Sequence, residues 1–501
     1  MRRRLAIAAA VLSTAALPLA ALAAPSARVS ERSRTAGVAA VGHAGRWIVD
    51  GSGRVVIDHG FNVVSKLAPF DPARNGFGRD DARFLAAHGF TAVRFGVLLQ
   101  GVEPAPGRYD DRYVASIRRT VDLLGRYGIR SLLDFHQDLY SQRYQGEGLP
   151  AWMALDDGLP AQPQAGFPGD YFGMPALWRA FDNLWTDAKG PGGVGLRERY
   201  AAALGHVAAA FRGDPAILGY DVFNEPFPGS PYLSCFPPRG CPEQDAARLA
   251  PFTRATIKAI HRNDPKHLAF YEPWLTFDYG APTGLGRFAD SRSGLSFHDY
   301  CLATVGAPET PPTRTMCNKL VEERVIANAL DQTRVSHDAL LLTEFGATTD
   351  TTELHEILGL ADSNDIPWMD WAYCACGDPT GNGQAEALVY DPRKPPSGSN
   401  VNQTALDVLD EPYPRLVAGT PGPFGYDAGS RTFRFRYSTA GVAGSLRPGL
   451  PTSVWIGRMH YPHGYHVRVT GAKVVSRAGA SVLTLVAKPG ARTVSVTVTP
   501  A

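Results

Sequence analysis

Short apolar runs recur along the first four-fifths of the chain, at 55–64, 92–97, 129–138, 217–226, 268–274, 294–300, 339–346 and 366–373. They do not alternate polar with apolar, so they predict strands buried on both faces, as in a parallel sheet. The stretches between them, such as DRYVASIRRTVDLLGRYG (111–128) and PFTRATIKAIHRND (251–264), repeat apolar residues at helical spacing. Eight β-then-α units in a row predict an α/β fold, a closed (β/α)₈ TIM barrel. A doubly wound open sheet is the alternative, but no Gly-rich phosphate turn follows the first run. Past residue 413, RTFRFRYST, TSVWIG, YHVRVTGAKVV, SVLTLVA and RTVSVTVTP alternate with period two and are joined by Gly/Pro turns. That pattern predicts an all-β sandwich over 413–501, with 411–423 as the junction and 24–412 as the barrel.

The apolar runs end on polar residues. Lys66 stands just past the first run, Arg94 in the second, Asp134, His136 and Asp138 in the third, and Asn224 with Glu225 in the fourth. Glu272, His298 with Tyr300, Glu344 and Trp371 complete the series. Any one of them can be an ordinary rim residue. Eight successive strands ending this way predict a site at the C-terminal face, where such barrels do their chemistry.

Composition and charge refine the picture. Residues 1–23 carry three arginines, an apolar stretch and Ala21-Leu22-Ala23, the layout of a secretory signal peptide cut before Ala24. Pro18 interrupts the run, which argues against a membrane anchor. The expected location is therefore secreted. Six cysteines suit an oxidising compartment. Local bridges are expected for Cys235 with Cys241 and for Cys301 with Cys317. Cys374 and Cys376 are expected to stay reduced or to pair elsewhere, because a Cys-Ala-Cys bridge is strained. No Cys-x-x-Cys pair or His-rich partner suggests a metal. Residues 413–501 hold eleven Lys and Arg against one acid, Asp427, while the barrel region is acidic. Either the two regions dock by charge, or the basic domain turns the barrel mouth toward an anionic lipid surface.

The fourth run stops at Asn224-Glu225-Pro226, and Pro226 cannot continue a ladder. A plain turn would explain that much. Glu344 has the same posture at the end of the seventh run, however, and strands 4 and 7 of a barrel face each other across its mouth. Two carboxylates flanking one bond are what glycoside hydrolysis requires, about 5–5.5 Å apart in a retaining enzyme. The alternative is two unrelated rim acids. Asn224 can bond a sugar 2-hydroxyl, which makes the adjacent Glu225 the general acid/base with a raised pKa. Glu344 is then the nucleophile, ionised and in need of donors, for which Arg94 and Tyr300 are the candidates. Trp371 offers a flat indole to cover a pyranose, or merely caps the barrel core.

Asn224-Glu225-Pro226 with Glu344, Arg94, His136, His298 and Tyr300, in this order, resembles glycoside hydrolase family 5, whose members are retaining (β/α)₈ enzymes. Within it the chain is similar to the endoglycoceramidases, which release the intact oligosaccharide from ceramide in glycosphingolipids. The similarity lies in GFNVVSK (60–66), LLDFHQDLYS (132–141), LPAWMALDDGLP (149–160), RAFDNLW (179–185), DVFNEPFPG (221–229) and LLTEFGA (341–347), and continues into the C-terminal domain. It implies Glu225 as acid/base and Glu344 as nucleophile. It also implies Lys66, Asp134, His136, Asp138, Asn224, Tyr300 and Trp371 around the sugar at the cut, with Arg94 and His298 in support. The implied substrate is a glycosphingolipid at a micelle or membrane surface, with no cofactor and no nucleic-acid or protein partner. YCACGDPT (373–380) does not fit the family pattern and bears on substrate range. The insertion 149–187 carries Trp152, Met153, Phe167, Tyr171, Phe172, Met174 and Trp178, either a groove for ceramide tails or a satellite core. Rival activities are an endogalactosylceramidase, a glucosylceramidase or a polysaccharide β-endoglucanase. A catalytically dead glycolipid-binding protein is the rival from another class, and it has no use for both glutamates.

Overall fold

The structure, a computed structural model, describes residues 38–300, 317–381 and 383–501. The expected signal peptide and Cys301 lie outside the described residues. Eight parallel strands close into a barrel in chain order: β1 (His59–Val63), β2 (Ala92–Gly96), β3 (Arg130–Asp134), β4 (Ile217–Asp221), β5 (Leu268–Tyr271), β6 (Ser293–Asp299), β7 (Ala339–Phe345) and β8 (Trp368–Asp370). Each of the eight apolar runs supplies one of them. Every residue in these strands is buried, because one face fills the barrel and the other carries the helices. Ala92, Leu132, Leu218, Leu268, Phe270, Leu341 and Met369 pack inside. Outside, the helix Asp111–Arg126 buries Val114, Ile117, Val121 and Leu124, and Asp110 caps its start by accepting from the backbone N–H groups of Arg112 and Tyr113.

The first run divides. Val55–Val56 and His59–Val63 are separate strands, and only the second belongs to the barrel. Between them Asp58 turns its carboxylate to the Thr91 hydroxyl (2.7 Å) and Arg130 Nη1 (2.9 Å). Val55 and Val56 instead pair with Val417 and Leu416. Together with Val41–Ala44 and Trp47–Asp50 they extend the sheet formed by Tyr413–Val417, Pro451–Trp455, Val482–Ala487 and Ala472–Val474. A second sheet of Thr420–Asp427, Thr432–Ser438, Thr493–Pro500 and Tyr465–Thr470 packs on the first around Phe433, Phe435, Leu483, Leu485, Val494 and Val496. The C-terminal domain is the expected sandwich, but it recruits residues 41–56 that the sequence pattern assigned to the barrel.

The sandwich meets the barrel at the starts of the strands, opposite the mouth. The His59 ring, at the start of β1, stacks between Trp368 of β8 (4.1 Å between centroids) and Tyr413 (3.6 Å). Tyr413 donates its hydroxyl hydrogen to the Gly89 carbonyl (2.7 Å), and Trp455 Nε1 donates to Asp410 (2.7 Å). Asp410 and Glu411, the acids of the junction, pair with His88 and His355 rather than with the basic residues of the sandwich. Stacked rings and hydrogen bonds join the two parts, and the charges of Arg46 and Asp365 attract each other across the junction.

The insertion 149–187 is mostly a satellite core. Met153, Tyr171 and Met174 are fully buried, and Trp152, Phe172 and Trp178 are half-buried. Phe181, Phe227 and Tyr232 close over Tyr171 and Phe172. Phe167 alone of the seven is exposed. Among the described residues no helix is long and apolar enough to cross a membrane.

Candidate active site

Arg94 projects from the middle of β2 into the mouth and is wholly buried. Its guanidinium gathers residues on or just past five other strands, β1, β3, β4, β5 and β7. Nε donates to Asp221 (3.0 Å), Nη2 to Asn224 (2.8 Å) and Glu272 (3.0 Å), and Asp134 is 3.0 Å from Nη2. Nη1 donates to Glu344 and to Asn62 (3.2 Å). Burial alone would lower its pKa, but Asp134, Asp221, Glu344 and Glu272 reverse that and hold it well above the ordinary range. A permanent cation with a planar fork is the side chain able to serve so many acceptors.

Glu344, at the end of β7, accepts from Arg94 through Oε1 and from the Tyr300 hydroxyl through Oε2 (2.8 Å). Its charge is thus held by two donors. Glu225 lies beyond the end of β4 with φ +43°, a left-handed conformation that costs a non-glycine residue free energy. Its backbone is fixed from both sides: its N–H donates to Glu272 (2.7 Å) and its carbonyl accepts from Gln137 Nε2 (3.1 Å). His298 Nδ1 lies 2.9 Å from Glu225 Oε1 and 3.5 Å from Glu344 Oε2. Those contacts laid end to end only approach the ~6.5–9.5 Å that inverting hydrolases leave between their carboxyl groups. One ring nitrogen thus stands against both carboxyl groups.

The two glutamates sit in different fields. Burial pushes the Glu225 carboxyl up, the hydrogen-bonded and cationic His298 opposes it, the Glu344 charge adds to the rise, and the result is about 7. Burial would depress His298, but Glu272, Glu344 and Glu225 hold it well above the usual histidine range. Asp278, from the short helix Leu275–Tyr279, also approaches Glu225 and His298. Burial drives its carboxyl well above the carboxylate range; His298 opposes this, and Glu225, Glu272 and Glu344 reinforce it.

A cavity of ≈ 410 Å³ opens over this pair. One wall is polar. Lys66 Nζ contacts Asp138 Oδ2 (2.6 Å), Thr380 Oγ1 (2.8 Å) and Asp378 Oδ2 (2.8 Å), and it stands 4.6 Å over the Trp371 ring. His136 stacks on Trp371 at 5.3 Å and bonds Asp134 through Nδ1 (2.7 Å). Burial would lower the His136 pKa, but Asp134 and Asp138 raise it to about 10. The other side is mostly apolar, with Phe167, Pro168, Tyr171, Leu275 and Tyr279 and the Asp278 carboxyl among them.

Comparison with known proteins now bears on this geometry. The model of the cellulase family, glycosyl hydrolase family 5, matches residues 77–377, and that of the glycoside hydrolase family 5 C-terminal domain matches 412–499. The chain is 32% identical over 457 residues to Endoglycoceramidase I of Rhodococcus hoagii, covering 88% of this chain and 85% of that one. It belongs to glycoside hydrolase family 5. Among solved structures, Endo-glycoceramidase II from Rhodococcus sp. in its ganglioside GM3 complex is 29% identical, with a TM-score of 0.75, over 91% of this chain and 99% of that one. The lactosyl-enzyme intermediate of the same protein gives a TM-score of 0.73 at 29% identity, with the same coverage.

In this family 5 hydrolase, Lys66, His136, Asp138, Asn224, Glu225, Tyr300, Glu344 and Trp371 all line the one cavity. Arg94 and His298 stand behind it, buried, as supports. Asp134 departs from expectation. Read as a sugar contact, it is instead wholly buried behind the wall, between His136 and Arg94, because the end of β3 directs it to those cations. Asn224 bonds the Gln137 carbonyl through Nδ2 (3.1 Å) as well as facing the cavity. Glu272 ends an apolar run and so carried a visible signal, though no role was read from it. Asp278 and Tyr279 lie on one short helical turn and Thr380 in a loop, and neither carries a periodicity that marks it. Cys374 and Cys376 are bonded to each other, contrary to expectation, while Cys235 and Cys241 form the expected local bridge (S–S 2.03 Å). Cys317 is disulfide-bonded as well.

Proposed function

We propose that this chain is a secreted, retaining endoglycoceramidase that cleaves the β-glycosidic bond between the glycan and the ceramide of glycosphingolipids. The observation that carries this reading is the Glu225–His298–Glu344 contact, set between a polar and a mostly apolar wall. A sugar suits the wall of Lys66, His136, Asp138 and Trp371; a lipid aglycone suits that of Phe167, Tyr171, Leu275 and Tyr279. The ganglioside complex solved for a relative supports the same substrate class. Secretion rests on the N-terminal sequence pattern.

In the first step a Glu344 oxygen bonds the anomeric carbon as its bond to the ceramide oxygen breaks, and Glu225 gives its proton to that oxygen. The glycan is then an ester of Glu344. The negative charge of Glu344 was one of the influences raising Glu225. Once it is consumed in the ester, Glu225 holds a proton less firmly. Glu225 then takes a proton from water, the water oxygen bonds the anomeric carbon, and the Glu344 carboxylate leaves. Two inversions give net retention.

The test is incubation with a panel of glucose-linked and galactose-linked glycosphingolipids over a range of pH. Intact oligosaccharide and free ceramide are the expected products. Because the first step needs protonated Glu225, kcat/KM should fall as pH rises through about 7. Stepwise loss of monosaccharides from the far end would defeat the substrate reading. A rate that stays flat well above neutral pH would remove Glu225 from the acid role.

A further inference from the structure

The segment 374–381 is the part of the mouth that the family pattern leaves unexplained. It begins three residues after Trp371 with the Cys374–Cys376 bridge, and the Asp378 N–H donates back to the Ala375 carbonyl within that bridged turn (2.8 Å). Two of its side chains reach the polar wall. Asp378 Oδ2 contacts Lys66 Nζ at 2.8 Å, and Thr380 Oγ1 lies 2.8 Å from Lys66 Nζ and 3.0 Å from Asp138 Oδ2. Asp378 Oδ1 also accepts from the Thr380 backbone N–H (2.8 Å) and from its hydroxyl (2.9 Å). Lys66 has three ammonium hydrogens, and Asp138, Asp378 and Thr380 supply three acceptors within 2.8 Å. The lysine is held by this loop in one position over the Trp371 face. Thr380 and Gly381 themselves line the cavity, whereas Asp378 stands behind them.

We infer that segment 374–381 is a sugar-selecting wall, in which the Thr380 hydroxyl meets a hydroxyl of the sugar at the cut, while Asp378 holds Thr380 and Lys66 in place and the Cys374–Cys376 bridge stiffens the turn from which Asp378 projects. The inference rests on the glycosidase reading of the Glu225/Glu344 pair but not on the lipid nature of the leaving group. Thr380 acts by contact; Asp378 and the bridge are positioning elements. The hydroxyl of Thr380 is held by three neighbours, so its direction is set before substrate arrives, and a sugar with no hydroxyl aimed at it forgoes that one bond.

The test uses a nitrophenyl β-lactoside and analogues of it that each lack one hydroxyl on the glucose next to the cut. Thr380→Val keeps the shape and removes the hydroxyl; it should lower kcat/KM on the parent compound by about tenfold, the size of one hydrogen bond. On one of the deoxy analogues, and only there, the variant and the wild type should be equal. Thr380→Ser should restore the discrimination. Asp378→Asn and the pair Cys374→Ser with Cys376→Ser should lose the same discrimination without losing the fold. An equal loss on every analogue, or no loss on any, overturns the inference. If the wild type cleaves the lactoside but releases no glycan from glycosphingolipids, the ceramide reading fails and this wall stands.

Discussion

Replacing Glu344 with Gln should lower kcat/KM by at least about four orders of magnitude on every glycoside tested, because an amide cannot form the ester intermediate. The fold should survive. The amide oxygen can still accept from Tyr300 or Arg94, and Arg94 keeps Asp134, Asp221 and Glu272 as counter-charges. A melting temperature close to that of the wild type, alongside lost activity, is the expected pairing. If Glu344→Gln retained a substantial fraction of the rate, another group would have to be the nucleophile.

Replacing Arg94 with Met should do the reverse and damage the fold first. Arg94 is wholly buried, and Asp134, Asp221, Glu272 and Glu344 lie within hydrogen-bond reach of it. Removing the cation leaves these carboxylates facing one another in a buried space. Breaking a buried ionic cluster on one side typically costs about 3–5 kcal/mol. Urea unfolding followed by circular dichroism reads the loss directly. Arg94→Lys should recover part of the stability and little of the activity, since an ammonium cannot serve Glu344, Asp221 and Asn224 at once in the planar geometry seen here. Unchanged stability in Arg94→Met would mean that the cluster accommodates the loss by taking up protons.

The barrel was legible because its strands are buried on both faces and so appear as unbroken apolar runs such as 339–346. The proposed catalytic pair was legible for the same reason: Glu225 and Glu344 interrupt or end such runs, where solvation alone gives no cause for a charge. What stayed hidden depended on contacts distant in sequence. Nothing local to Val55 and Val56 says that their partners are Leu416 and Val417, so the run 55–64 reads as one strand. Asp134 looked like its neighbours Asp138 and His136, and only the position of Arg94 turns it away from the cavity. The aromatic residues of 149–187 carry no mark that separates Phe167, at the cavity, from Met153 and Met174, in the core. Asp278, on a five-residue helical turn, and Thr380, in a loop, sit on backbone shaped by tertiary packing, and no periodicity marks either in the sequence.

The two glutamates and the two walls combine into one claim: a glycan is transferred from ceramide to Glu344 and then to water. Proton NMR of the first product released from lactosylceramide tests it most directly. The account predicts intact lactose that appears first as the β-anomer and only later equilibrates with the α-anomer. Initial release of α-lactose would mean a single displacement and a different use of Glu344, and initial release of galactose would mean that the enzyme cuts at the wrong bond for this account.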